Sequence, residues 1–133
     1  MPKLEQFFED ADYERSLFDA LQERIMALDG VKMKVQKSQI AFSAGTQFAW
    51  VWFPMPWAKG RPGRPENCII VSFSTDRPFE NEKIVQRVEP YSGRFMHHVV
   101  VSQPGDLDED LWQWLEMAHR FALSRSRKTD KEQ

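Results

Sequence analysis

The sequence predicts an α+β fold, with one mainly antiparallel sheet of about five strands and two long helices packed on one of its faces. Three observations predict it. A long helical pattern opens the chain, alternating segments separated by short turns follow, and a second long helical pattern closes it. The central stretch, Lys37 to Pro54, holds two apolar runs, Ile40–Phe42 and Phe48–Phe53, around a polar Ser-Ala-Gly-Thr-Gln insert. That is a hairpin pattern.

At 133 residues the chain suits one domain with one core. Residues 1–125 are read as that domain and residues 126–133 as a disordered charged tail. Aromatic residues are 13%, with ten Phe and five Trp, so large rings are expected to fill much of the core. The net charge of −2 is too balanced for a general nucleic-acid binder. The single Cys68 excludes an internal disulfide and reads as a small buried hydrophobe. The acidic N-terminal stretch does not read as a signal peptide, and no run approaches the roughly 20 apolar residues of a membrane span. A cytoplasmic protein without membrane partners is the expectation.

In chain order, Lys3–Glu9 reads as a helical turn with Phe7 and Phe8 as an apolar knob. Asp12–Leu28 reads as a helix, because Leu17, Leu21, Ile25 and Leu28 recur at three- and four-residue steps. Asp10 or Asp12 suits its cap, and Gly30 the left-handed position beyond its end. Val31–Val35 alternates apolar residues with Lys32 and Lys34, as a half-buried strand does. Lys37–Phe42 is read as the next strand. Gln47–Phe53 follows, with Phe48, Trp50 and Trp52 expected on one face and Ala49, Val51 and Phe53 on the other. The four prolines of Pro54–Glu66 make a loop containing Trp57, Lys59, Arg61 and Arg64. Asn67–Ser74 is a strand with Ile69, Val71 and Phe73 inward, and Thr75–Asn81 is a turn region. Ile84–Val88 fits either a short strand or a helical turn. Arg94–Val101 is the last strand, with Phe95, His97, Val99 and Val101 sharing a face. Asp106 and Glu109 form a capping-box pattern for the closing helix. Its stripe is Leu111, Trp114, Leu115, Ala118 and Ala122, so Trp114→Ala is expected to damage the fold more than Trp112→Ala.

No catalytic signature is present: no Gly-rich phosphate loop, no paired cysteines, no HExxH and no GxSxG. His97 and His98 point to opposite faces of a strand, so they do not readily share a metal. His119 is expected to be exposed on the closing helix. Glu14, Asp19 and Glu23 offer a cation site, but the interleaved Arg15 and Arg24 favour a solvated, paired helix face. Lys37, Arg94 and nearby basic residues lie among Trp50 and Trp52. Guanidinium forks and indole faces together hold planar anions or single-stranded nucleic acid, although core tryptophans and solvated arginines give the same composition.

The blocks KSQIAF, FAWVWFP, GRFMHH and DLDEDLWQWLEMA resemble a bacterial family of domains of unknown function, number five-six-five-five, over nearly the whole chain. The resemblance extends more distantly to the YdhG-like group, which implies an α+β sheet flanked by helices and includes a frataxin-like iron chaperone. The family implies no activity, so no residue inherits a catalytic role. Its recurring polar positions correspond to Lys37, Ser38, Gln39, Arg94, His97 and His98. With Trp50 and Trp52, these make the candidate ligand-binding set, with no metal and no cofactor assigned. The expected function is non-enzymatic binding of a small anionic ligand or a nucleic-acid segment, by a monomer or homodimer. The alternatives are iron handling through the first-helix carboxylates, or a surface module that only dimerises.

Overall fold

The computed structural model describes residues 3–53, 68–91 and 93–132. The proline-rich stretch 54–66 and its Trp57, Lys59, Arg61 and Arg64 lie outside the described residues. The described elements are α1 (Leu4–Phe7), α2 (Asp12–Met26), β1 (Lys32–Val35), β2 (Ile40–Ala44), β3 (Thr46–Trp52), β4 (Ile69–Thr75), β5 (Ile84–Tyr91), β6 (Arg94–Val101) and α3 (Glu109–Glu132). The six strands form one antiparallel sheet in the order β1-β2-β3-β4-β6-β5. The fold is therefore α+β with an open sheet and two long helices.

The expectation of about five strands is corrected to six among the described residues. The region read as a short strand or a helical turn is β5, an eight-residue strand paired along β6. The short α1 adds a third helix to the packing. Its Phe7 ring stacks on Phe53 at 5.2 Å, and Phe8 behind it lies 5.1 Å from Phe18. Two further boundaries differ. Lys37 and Ser38 form the turn before β2 rather than the strand itself, closed by Gln36 N–H donating to the Gln39 carbonyl at 2.8 Å. The backbone of α3 stays helical to Glu132, past the point where the polar composition leads to an expected fraying.

The apolar periods account for the core. Leu17, Phe18, Leu21 and Ile25 of α2, and Leu111, Leu115, Ala118 and Ala122 of α3, are buried in one cluster with alternate sheet residues. Those sheet residues are Ile40 and Phe42, Ala49 and Val51, Ile69, Val71 and Phe73, and Val99 and Val101. Phe18 of α2 stacks on Phe42 at 6.3 Å, and Trp114 of α3 stacks on Phe73 at 5.8 Å. One ring departs from strict alternation. The register of β2 and β3 shifts between Phe42 and Ser43, as a β-bulge, and Phe48 falls in the irregular position. Phe48 therefore meets His119 of α3 at 5.6 Å instead of sharing a face with Trp50 and Trp52.

His119 is buried, contrary to the exposed position expected. Its ring nitrogen lies 2.7 Å from the Asp29 carbonyl and donates to it, tying α3 to the end of α2. Gly30 follows with φ of +68°, the left-handed conformation expected of it. Helix starts depend on different residues from those expected. Asp108, not Asp106, caps α3 by accepting the Leu111 N–H at 3.0 Å. Asp106 instead accepts the backbone N–H groups of Ser102 and Gln103 in the turn after β6. Lys83 pairs with Asp108 and Asp110, so the start of β5 is fastened to the start of α3.

Candidate functional site

Alternation on the strands sends a second set of side chains to the face of the sheet away from the core cluster. The register defines one row across it: Lys34, Ala41, Trp50, Ser72, His98 and Gln86, on five neighbouring pairs of strands. Trp52 and Ile70 pair in the row on one side, and Ser74 and Met96 on the other.

Ser72 is the polar centre. It is 1% exposed on a central strand, so its hydroxyl needs partners within the protein. The Trp52 indole Nε1–H donates to Ser72 Oγ at 2.8 Å, and His98 Nδ1 lies 2.6 Å from the same oxygen. The Trp52 and His98 rings meet edge to face, 5.6 Å apart. Burial lowers the pKa of His98, which keeps the imidazole neutral near pH 7. With Trp52 donating into Oγ, the Ser72 hydroxyl hydrogen goes to Nδ1. This selects the tautomer with hydrogen on Nε2, a donor directed away from Ser72.

Arg94 sits at the start of β6, and its Nε donates to Ser74 Oγ at 3.1 Å. Its positive charge therefore lies beside the Ser74 row, one same-face repeat of roughly 7 Å from the Ser72 row. On the other side of Ser72, Trp50 is 8% exposed and its Nε1 donates to Gln47 Oε1 at 3.0 Å.

The candidate residues thus separate into three places. Trp50, Trp52, His98 and Arg94 share the second face. His97 is turned to the core face and fully buried, with its ring 4.9 Å from Phe73 and 5.1 Å from Phe79. Its Nε2 accepts the Phe79 N–H at 3.0 Å. Its Nδ1 has no hydrogen-bond partner of normal geometry among the described residues. Burial, partly offset by the Phe73 backbone, pushes its pKa down to about 4.

Lys37, Ser38 and Gln39 lie at the opposite end of the sheet from Arg94. Ile40, Val51, Val71 and Val99 occupy one cross-strand row. Lys37 and Arg94 lie on opposite sides of that row, roughly 25 Å apart along the strands. Gln39 donates its side-chain amide to Gln36 at 2.8 Å, within the same turn. The expected convergence of Lys37 with Arg94 is therefore corrected.

Ser72, Ser74 and Gln47 were missed by reasoning from sequence. The signal was available for the serines. With Ile69, Val71 and Phe73 inward, the alternating Ile70, Ser72 and Ser74 must face the other way, beneath the tryptophans.

The fold defines an α+β protein built on an open antiparallel sheet. The family model described as a domain of unknown function, DUF5655, matches residues 4–122, and the chain belongs to that family. No curated protein and no solved structure matches the chain. Among the described residues, no helix is long and apolar enough to cross a membrane.

Proposed function

We propose that this protein binds a small anionic ligand with a planar ring on the second face of its sheet, without turning it over. The observation that carries the reading is the chain Trp52 Nε1–H to Ser72 Oγ to His98 Nδ1, at 2.8 and 2.6 Å, with the Arg94 guanidinium in the neighbouring row. Two buried bonds fix the indole and the imidazole before any ligand arrives, which lowers the ordering cost of binding. The neutral His98 offers Nε2–H to an anion, and Arg94 supplies charge. Ser72 is not a nucleophile in this reading. Its oxygen already accepts an indole N–H and is nearly inaccessible, and its hydrogen is committed to His98.

Metal handling through α2 is the weaker alternative. Asp19 is paired with Arg15 at 2.8 Å. Among the described residues, no group of three or more His, Cys, Asp or Glu side chains is placed to hold a metal ion. The distant iron-chaperone likeness therefore finds no support in the arrangement of these carboxylates.

Calorimetric titration of thymidine monophosphate and pyrophosphate at two salt concentrations tests the proposal. Arg94→Ala is expected to weaken binding about 10- to 100-fold, the size of one lost charged hydrogen bond. Ser72→Ala should weaken it several-fold by releasing both rings. Lys37→Ala, at the far end of the sheet, should change affinity less than twofold. Equal losses from Lys37→Ala and Arg94→Ala would place the ligand elsewhere.

A further inference from the structure

The charges on the second face are segregated. Met33 pairs with Phe42 on the core face and Lys34 with Ala41, so Lys32 and Lys34 of the edge strand β1 belong to the second face. Both are exposed, and neither makes a hydrogen bond or ion pair among the described residues. Arg94 lies on the same face, three strand spacings beyond β2. Among the described strand positions fixed to this face by register, the charged side chains are therefore Lys32, Lys34 and Arg94, all cations. Glu89 falls in the irregular stretch between Val88 and Tyr91 and is used by the Gly93 N–H. This contrasts with a chain that carries 20 acidic and 18 basic residues.

The row from Lys34 to His98 crosses four strand spacings, roughly 19 Å. A mononucleotide-sized anion at Trp52, His98 and Arg94 cannot reach Lys34 across that span. A chain-like polyanion can reach both ends, with its phosphates on the lysines and the arginine and a base against the half-buried Trp52 and His98 rings. We infer that the second face is a track for single-stranded nucleic acid. Phosphates are held by Lys32, Lys34 and Arg94, and one base is held at the Trp52–His98 pair. This rests on the anion-binding reading above and names its ligand class. A flexible single strand suits the face because its unpaired bases expose their ring planes to aromatic side chains, which a duplex does not.

The probe is a fluorescein-labelled 12-nucleotide oligothymidylate, followed by anisotropy, with thymidine monophosphate as the small ligand. Three phosphate contacts predict a slope of about −2 for log affinity against log salt, at about 0.7 per contact. Lys32→Ala with Lys34→Ala should weaken the oligonucleotide about tenfold or more and reduce that slope by about 1.4. It should leave thymidine monophosphate within twofold. Lys32→Arg with Lys34→Arg should restore oligonucleotide binding. Both lysines are exposed, so the substitutions spare the core. Oligonucleotide affinity and slope unchanged by the alanine pair would overturn the track. So would equal affinity for a 12-base-pair duplex, or equal displacement by polyglutamate. In each of those cases, intact thymidine monophosphate binding lost with Arg94→Ala would leave the small-anion reading standing. Failure of the wild type to bind either probe would dispose of both.

Discussion

Phe73→Ala is expected to cost about 3–5 kcal/mol of stability, enough to leave much of the protein unfolded if the domain has the common 5–15 kcal/mol. Phe73 is fully buried on the central strand β4. It joins three other rings, with His97 at 4.9 Å, Trp114 at 5.8 Å and Phe79 at 6.4 Å. Removing it opens a cavity between the sheet and α3 and strips the main support from Trp114. Trp114→Ala should cost less, about 2 kcal/mol, because that ring is only half-buried and closes the cluster from outside. Trp112 is also half-buried, but it packs under the Arg24 guanidinium at 4.4 Å rather than on the sheet. Trp112→Ala should therefore be the mildest of the three. Urea denaturation of the variants gives the order, and a Trp112→Ala loss equal to that of Phe73→Ala would contradict this account of the core.

Acid should destabilise the fold well before its carboxylates titrate. In the unfolded chain His97 takes a proton near pH 6.5, whereas burial in the fold holds its pKa at about 4. Between those values the unfolded state binds a proton that the folded state refuses, so stability falls as pH drops from 6.5 to 4. Above pH 6.5 the residue is neutral in both states and contributes no slope. Protonation would also replace the Nε2 acceptor of the Phe79 N–H with a second donor. Water entry limits the loss to about 2 kcal/mol. His98 is shifted in the same direction by burial and adds to the same window. His97→Gln keeps an acceptor for the Phe79 N–H and removes the titration, so most of the slope should vanish even if the variant is less stable overall. An unchanged slope in His97→Gln would mean that another group controls the acid response.

Much of the fold was legible because its signals are local and periodic. The stripes of α2 and α3, the alternation of β1, β4 and β6, and Gly30 after α2 are each determined by neighbours a few residues away. What was not legible depends on pairing between distant strands. The bulge that turns Phe48 to His119 arises from the register of β2 against β3, which no property of either strand alone specifies. β5 is mostly exposed and holds few apolar residues in strict alternation, so its period was weak. For the site, alternation correctly put His97 and His98 on opposite faces, and Trp50 with Trp52 on one. It could not say which residues lie across from them. The partners Ser72 and Ser74 come from β4, about 20 residues away, and the separation of Lys37 from Arg94 follows only from the complete strand order. His119 was misplaced because the acceptor that buries it, the Asp29 carbonyl, is 90 residues distant in sequence.

The central claim is that the second face, around Ser72, is the binding face. The most direct measurement is an amide and indole proton–nitrogen correlation spectrum during titration with thymidine monophosphate. The indole of Trp52 reports on the site through its bond to Ser72, while Trp112 and Trp114 lie on the helix side of the sheet. The account predicts that the Trp52 indole and the Ser72, Ser74 and His98 amides move together and saturate with one affinity, while the Trp112 and Trp114 indoles stay in place. Shifts confined to Trp112, Trp114 and the helices, or a spectrum unmoved by millimolar ligand, would contradict it.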